Sequence, residues 1–188
     1  MGTQSEVRPK TLSPAIPDRM ERDALAVLQR ASACGVTLTA AESCTGGLLC
    51  SLLTDLSGYG HVFERGFITY SDRAKCDLLG LAQREIDDCG AVSRQVAVAM
   101  ARGALARSQA QIAIAITGFA GPAGPCDEEG LVHLACSCEG GRTVHRAVHF
   151  GPRGRAAIRL AAVQTALDML HTALQQTVAT GRPGRLQA

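Results

Sequence analysis

At 188 residues the chain has room for one domain with a buried core. Its 19 basic and 17 acidic residues leave a formal net charge of +2 with no basic stripe, and with 3% aromatic residues and no Trp it lacks a stacking platform for single-stranded nucleic acid. Met1 to Pro17 has no apolar signal core, no run of 18 apolar residues occurs, and the 8 cysteines include no C-x-x-C pair, so the expectation is a cytoplasmic protein with reduced cysteines, no disulfide framework and no zinc site.

Residues 1–17, with prolines and no periodicity, read as a disordered leader. Asp18 is expected to cap a helix whose apolar stripe is Met20, Ala24, Leu25, Val27, Leu28 and Ala31, ending near Gly35. A strand follows over about Val36 to Ala41, then a helix over about Gly46 to Leu56, stopped by Ser57-Gly58. Phe63 to Tyr70 reads as a second strand, Ser71 as the cap of a short helix stopped by Gly80, and Ser93 as the cap of a helix over 94–108. Gln111 to Thr117 is short and almost wholly apolar, as a strand covered on both faces should be. After the Gly/Pro loop Gly118 to Gly130, Leu131–Cys138 and Thr143–Phe150 read as a hairpin through residues 139–142. A long Ala-rich helix from about Arg155 to Gln175 closes a domain spanning 18–177, with 178–188 as a flexible tail. Helices alternating with strands, plus one hairpin, predict an α/β fold, a three-layer α/β/α sandwich with a mixed sheet and helices on both faces.

The turn Thr39-Ala-Ala-Glu-Ser-Cys-Thr-Gly-Gly47 joins the first predicted strand to the second predicted helix. Such a turn aims backbone N–H groups and a positive dipole end beyond the sheet's carboxyl edge, where open α/β sheets take ligands. Gly46 and Gly47 let a ligand come close to the backbone. The spacing fits neither G-x-G-x-x-G nor G-x-x-x-x-G-K-[ST] nor G-x-S-x-G, which excludes dinucleotide, Walker and elbow readings. What is left is a nucleophile or an anion cradle, with Ser43, Cys44 and Thr45 competing for the nucleophile's role; equally, Ser43 or Thr45 reads as a plain helix cap.

Further along, a cap at Ser71 sets Lys75 one turn later, near Tyr70 at the strand's end. A lysine beside a serine serves as its general base where burial disfavours the ammonium, and a tyrosine there can relay a proton or hold an anion. The alternative is a solvated lysine and a partly buried tyrosine. Thr117-Gly118 to Pro122 form either a backbone lip suited to ribose or phosphate, or an ordinary loop. Arg153, Arg155 and Arg159 lie at or near a helix start, where guanidinium groups can hold a carboxylate or phosphate. The five histidines include no pair at ligand spacing within one predicted helix, so no catalytic metal is expected.

The order AESCTGG, FERGFITYSDRAK, GAVS (residues 90–93), TGFAGP, GLV and an F-G-P-R turn into a long helix resembles the CinA carboxy-terminal domain family, over about residues 20–175. The stand-alone form of that family includes nicotinamide mononucleotide amidohydrolases. The resemblance implies hydrolysis of the carboxamide of nicotinamide mononucleotide to nicotinic acid mononucleotide and ammonia, without a cofactor, by a homodimer or higher symmetric assembly. Carried over residue by residue, it implies Ser43 as nucleophile, with Lys75 and Tyr70 handling the proton. Backbone N–H groups near Thr45, Gly46 and Gly47 would stabilise the oxyanion, and Thr117 matches the family's small hydroxyl residue ahead of G-x-A-G-P. Substrate binding is expected from Glu42, Thr45, Gly46, Gly47, Thr117, Gly118, Arg153 and Arg155, with Glu42 either ordering the turn or touching substrate.

Three departures from the family pattern stand out. Asp72 occupies a position where the family usually has Asn, the segment 123–129 is shortened and altered, and the arginine motif carries one extra residue. Spacing to Arg159 favours Arg155 as the match, while the preceding glycine favours Arg153. The rival functions are a non-enzymatic interaction module of competence or DNA-repair machinery and an amidohydrolase of another small amide. Ser43, Tyr70 and Lys75 together favour an enzyme, because a scaffold needs none of them in combination.

Overall fold

The computed structural model describes residues 16–122, 124 and 127–179. The leader expected over 1–17 therefore falls outside the described residues as far as residue 15, as do positions 123, 125 and 126 of the altered loop and the tail from 180. Ile16 packs against the core.

Helix α1 (Asp18–Ala33) opens on Pro17, whose carbonyl accepts the Met20 N–H at 2.8 Å. Asp18, expected as the cap, is instead the first helical residue, where its charge complements the positive dipole end. Strand β1 (Leu38–Glu42) is buried throughout. Helix α2 (Leu48–Asp55) begins two residues later than expected, because Gly46 and Gly47 take φ of +61° and +92° and complete the turn in left-handed backbone that side chains other than glycine's resist.

Strand β2 (Phe63–Ile68) leads to α3 (Asp72–Leu79), capped as expected by Ser71, whose hydroxyl accepts the Ala74 N–H at 3.1 Å, and closed by left-handed Gly80. A short helix the sequence reading did not place, α4 (Gln83–Cys89), buries Ile86 alone. Then come α5 (Arg94–Ala106), capped by Ser93, β3 (Ile112–Gly118), β4 (Leu131–Cys138), β5 (Thr143–His149) and α6 (Arg155–Ala179).

The sheet runs β2-β1-β3-β4-β5, parallel among β2, β1 and β3 and antiparallel across β4 and β5. It is the mixed sheet, covered on both faces, that the alternation of elements predicts. One face carries Leu38, Ala40, Ile112, Ile114, Ile116, Val132 and Leu134 into a core shared with α1, α2 and α6. The other carries Ala41, Ala113, Ala115 and Ala135 against α3, α4 and α5. Strand β3 thus alternates Ile and Ala, period two, between a thick and a thin layer. Each fully buried Ile or Leu contributes about 1.5–3 kcal/mol, so the thick layer supplies most of the burial. The thin layer lets α5 lie close over the strands.

The strand order also fixes where a ligand can sit. The chain leaves β1 for β2 through α2 on one face, then crosses to β3, on the other side of β1, through α3, α4 and α5 on the opposite face. The winding reverses at β1, and open sheets leave a crevice beyond the carboxyl ends of the strands at such a reversal. The AESCTGG turn stands there. Among the described residues no helix is long and apolar enough to cross a membrane.

Candidate active site

Glu42 ends β1 with its side chain fully buried. Its carboxylate accepts the N–H groups of Gly47 at 3.1 Å, Leu49 at 3.2 Å and Cys50 at 2.8 Å, occupying the positive end of α2 from within. Of the two roles open to Glu42, the contacts are those of ordering the turn. The same contacts revise the oxyanion expectation. The Gly47 N–H is committed to Glu42 and the Gly46 N–H to the Ser43 carbonyl at 3.1 Å, so neither faces outward as a free donor.

Beyond the last paired residues, the sheet register continues by one step. The Ser43 N–H bonds to the Ile116 carbonyl at 2.9 Å, and the Thr69 N–H to the Glu42 carbonyl at 2.8 Å. Glu42 pairs with Ile68 on one side and Ile116 on the other. The next residues, Thr69, Ser43 and Thr117, therefore form a row across the carboxyl edge. By strand alternation they share the thin-layer face with Phe67, Ala41 and Ala115. Ser43 is 7% exposed, enough to meet a small ligand. Thr117 is buried, and its hydroxyl donates to the Ala91 carbonyl at 2.8 Å, tying the row to the GAVS segment.

Lys75 lies on α3, which covers this same face, and is 1% exposed. Its Nζ is 3.5 Å from the Tyr70 carbonyl and 3.5 Å from Asp72 Oδ1. Lys75 is thus a buried lysine rather than a solvated one. Asp72, the departure from the family's Asn, is in direct contact with it. Tyr70 is 64% exposed, and its hydroxyl accepts from Arg155 Nη2 at 3.3 Å rather than turning toward Lys75.

The first turn of α6 closes the crevice. Arg159 donates from Nε at 3.2 Å and Nη2 at 2.5 Å to the Thr45 carbonyl, and Arg155 one turn earlier reaches Tyr70 and lies beside Gly121. Arg153 is exposed in the preceding turn, with its N–H on the Gly151 carbonyl. Between the two assignments that spacing left open, it is Arg155 whose side chain joins the cluster. Gly118 ends β3 flush against Val132 and the Leu131 carbonyl, leaving no room there for a side chain.

Cys44 belongs to the thick-layer core, and burial pushes its thiol up to about 11, so it stays protonated near neutral pH. Cys50 is raised still further by burial and by the Glu42 carboxylate. Among the described residues no three His, Cys, Asp or Glu side chains are grouped to hold a metal ion.

Arg159, grouped in the sequence with Arg153 and Arg155 as an anion contact, instead braces the Thr45 carbonyl. One participant escaped sequence reasoning. Thr69 was passed over because nothing in its neighbours reveals that its hydroxyl is buried without a hydrogen-bond partner.

The family model for the CinA C-terminal domain matches residues 20–174. The chain is 41% identical over 144 residues to the nicotinamide-nucleotide amidohydrolase PncC of Escherichia coli K12, covering 76% of this chain and 87% of that protein. It is 46% identical over 129 residues to a CinA-like protein of Akkermansia muciniphila, covering 68% of this chain and 31% of the relative. The chain thus spans about a third of the length of such CinA-like relatives. Among solved structures, the competence/damage inducible protein CihA from Agrobacterium tumefaciens superposes with a TM-score of 0.82 at 44% identity, over 85% of this chain and 98% of that one. A CinA superfamily protein from Escherichia coli superposes with a TM-score of 0.76 at 34% identity, over 87% and 93%.

Proposed function

The chain belongs to the CinA C-terminal domain family, and from that premise we propose that it is an amidohydrolase of nicotinamide nucleotides, releasing ammonia from the carboxamide of nicotinamide mononucleotide. The observation that carries this reading is the 41% identity to PncC over 87% of that protein's length. The geometry supports it: a nearly buried serine at the sheet's switch point, a buried lysine on the helix covering the same face, and guanidinium groups at the rim.

In the proposed reaction Ser43 Oγ attacks the carboxamide carbon. Its proton passes to the Lys75 amine, and the C=O π pair moves onto oxygen. The tetrahedral intermediate collapses as Lys75 returns that proton to the departing nitrogen, so ammonia leaves and a nicotinoyl ester remains on Ser43. Water then attacks the ester and Lys75 takes the water proton; as the ester bond breaks, Lys75 returns that proton to Ser43 Oγ, releasing the acid and restoring both the hydroxyl and the amine. Burial excludes bulk water from Lys75, whose helix lies on the same face of the sheet as the row. Tyr70, through its carbonyl, anchors Lys75, and its hydroxyl orients Arg155 toward an anionic substrate group.

The test is ammonia release from nicotinamide mononucleotide by the purified protein beside Ser43→Ala and Lys75→Ala, with folding checked by circular dichroism. Ser43→Ala should fall to background and Lys75→Ala should lose roughly 100- to 10,000-fold in kcat. Turnover surviving Ser43→Ala would remove Ser43 as nucleophile. A folded wild type without turnover would point to a different amide or to a binding role.

A further inference from the structure

The nucleophile reading leaves an open requirement: a donor for the oxygen that becomes negative when Ser43 attacks. Of the donors expected near Thr45, Gly46 and Gly47, the two glycines spend their N–H groups inside the turn. The same site holds a polar group with the opposite problem. Thr69 is 0% exposed and its hydroxyl has no hydrogen-bond partner. An orphaned buried hydroxyl is costly and calls for an explanation in a folded protein. Thr69 is the residue beside Ser43 in the row at the carboxyl edge, on the face that α3 and Lys75 cover. Its N–H is held by the Glu42 carbonyl at 2.8 Å, so the sheet itself sets the Thr69 Cβ beside that of Ser43. Among the described residues Thr45 has the other orphaned hydroxyl, but it lies in the turn, outside the strand pairing.

We propose that Thr69 is a catalytic residue that touches the substrate, its hydroxyl donating to the carbonyl oxygen under attack by Ser43. This rests on the amidohydrolase reading and adds to it a donor supplied by strand β2 rather than by the turn. The orphan state fits that role: a donor already desolvated and held in place costs no reorganisation when charge appears, and is worth most in a site that excludes water.

The experiment compares Thr69→Val, which keeps the shape and removes the hydroxyl, with Thr69→Ser, which keeps the hydroxyl. Turnover of nicotinamide mononucleotide, thermal midpoint, and covalent labelling of Ser43 by a small phosphonofluoridate are measured on each full-length variant. Thr69→Val should lower kcat roughly 100- to 1,000-fold with KM little changed, while Thr69→Ser stays near wild type. The midpoint of Thr69→Val should be unchanged or raised, because an unsatisfied hydroxyl has been removed. A kcat for Thr69→Val within a few-fold of wild type, or a loss of activity that follows a fall in midpoint, would overturn the assignment. The labelling separates this inference from the choice of substrate, since the phosphoryl oxygen takes the position of the oxyanion. Should the wild type be labelled at Ser43 without hydrolysing the nucleotide, labelling slowed by roughly tenfold or more in Thr69→Val retains Thr69, and equal labelling overturns it. A wild-type Ser43 that neither turns over nor labels overturns both.

Discussion

Gly103 sits in the middle of α5, where an alanine would ordinarily be preferred by about 1 kcal/mol. A Cβ at this position would run into the Leu79 carbonyl, a backbone atom of α3 that cannot swing aside. Overpacking therefore outweighs propensity, and Gly103→Ala should destabilise the protein by about 1–3 kcal/mol, seen as a lowered urea midpoint at unchanged slope. The opposite sign would mean that α3 yields freely, and Lys75 on α3 would then be less firmly held than its burial suggests. At this scale the sequence revealed residue types better than residue circumstances. Ser43, Tyr70 and Lys75 were candidates by position and were singled out by the family resemblance, and the structure brings Ser43 and Lys75 to one face of the sheet. The state of Glu42, enclosed by three backbone donors, and that of Thr69, enclosed by none, are consequences of packing between strands distant in the chain. No local pattern encodes them.

Among the elements, those with a strong period were legible and those without were not. Strand β3 and the β4–β5 hairpin were readable because their apolar runs end at glycines and polar turns. Helix α4 escaped because its seven residues bury Ile86 alone and so show no stripe. The hairpin also carries a feature that only pairing reveals. His133 Nδ1 and His145 Nε2 lie 3.0 Å apart with stacked rings, one ring donating and the other accepting. Burial lowers both imidazoles from the ordinary value of 6.5, helped by His149 at His133 and by His133 and Arg94 at His145, while Glu128 pairs with His149 instead. The folded protein therefore resists protonation that the unfolded chain accepts. Stability is full above about pH 6.5 and is lost as pH falls toward the lowered folded values. The urea midpoint should drop between about pH 7.5 and pH 5.5, and His145→Gln should flatten that drop. An equal drop in the variant would assign the effect to carboxylates elsewhere.

For the whole molecule, the alternation of helix and strand was enough to give the α/β/α sandwich, but not the difference in thickness between its two outer layers. That difference comes from β3, which points Ile112, Ile114 and Ile116 into one face beside Leu38 and Leu134, while Ala115 pairs with Ala41 and Ala135 on the other. It predicts opposite tolerances for neighbours in β3. Ile114→Val should cost about 0.5–1.5 kcal/mol, a shortfall its surroundings partly close. Ala115→Val, facing α5, should cost about 1–3 kcal/mol despite the better strand propensity of valine. Denaturant unfolding of the two variants checks the order, and a cheaper Ala115→Val would mean that α5 stands off the sheet.

The clamp formed by α6 has a consequence in time. Arg159 holds the Thr45 carbonyl and Arg155 holds the Tyr70 hydroxyl, yet both belong to the last helix that the ribosome adds among the described elements. A nascent chain that ends at β5 already contains Ser43, Thr69, Lys75 and Thr117 but neither guanidinium. Synthesis proceeds from the amino terminus at about 5–20 residues per second, so Ser43 emerges several seconds before the groups that brace its turn. The final form of the carboxyl edge is therefore delayed until α6 has been translated and docked.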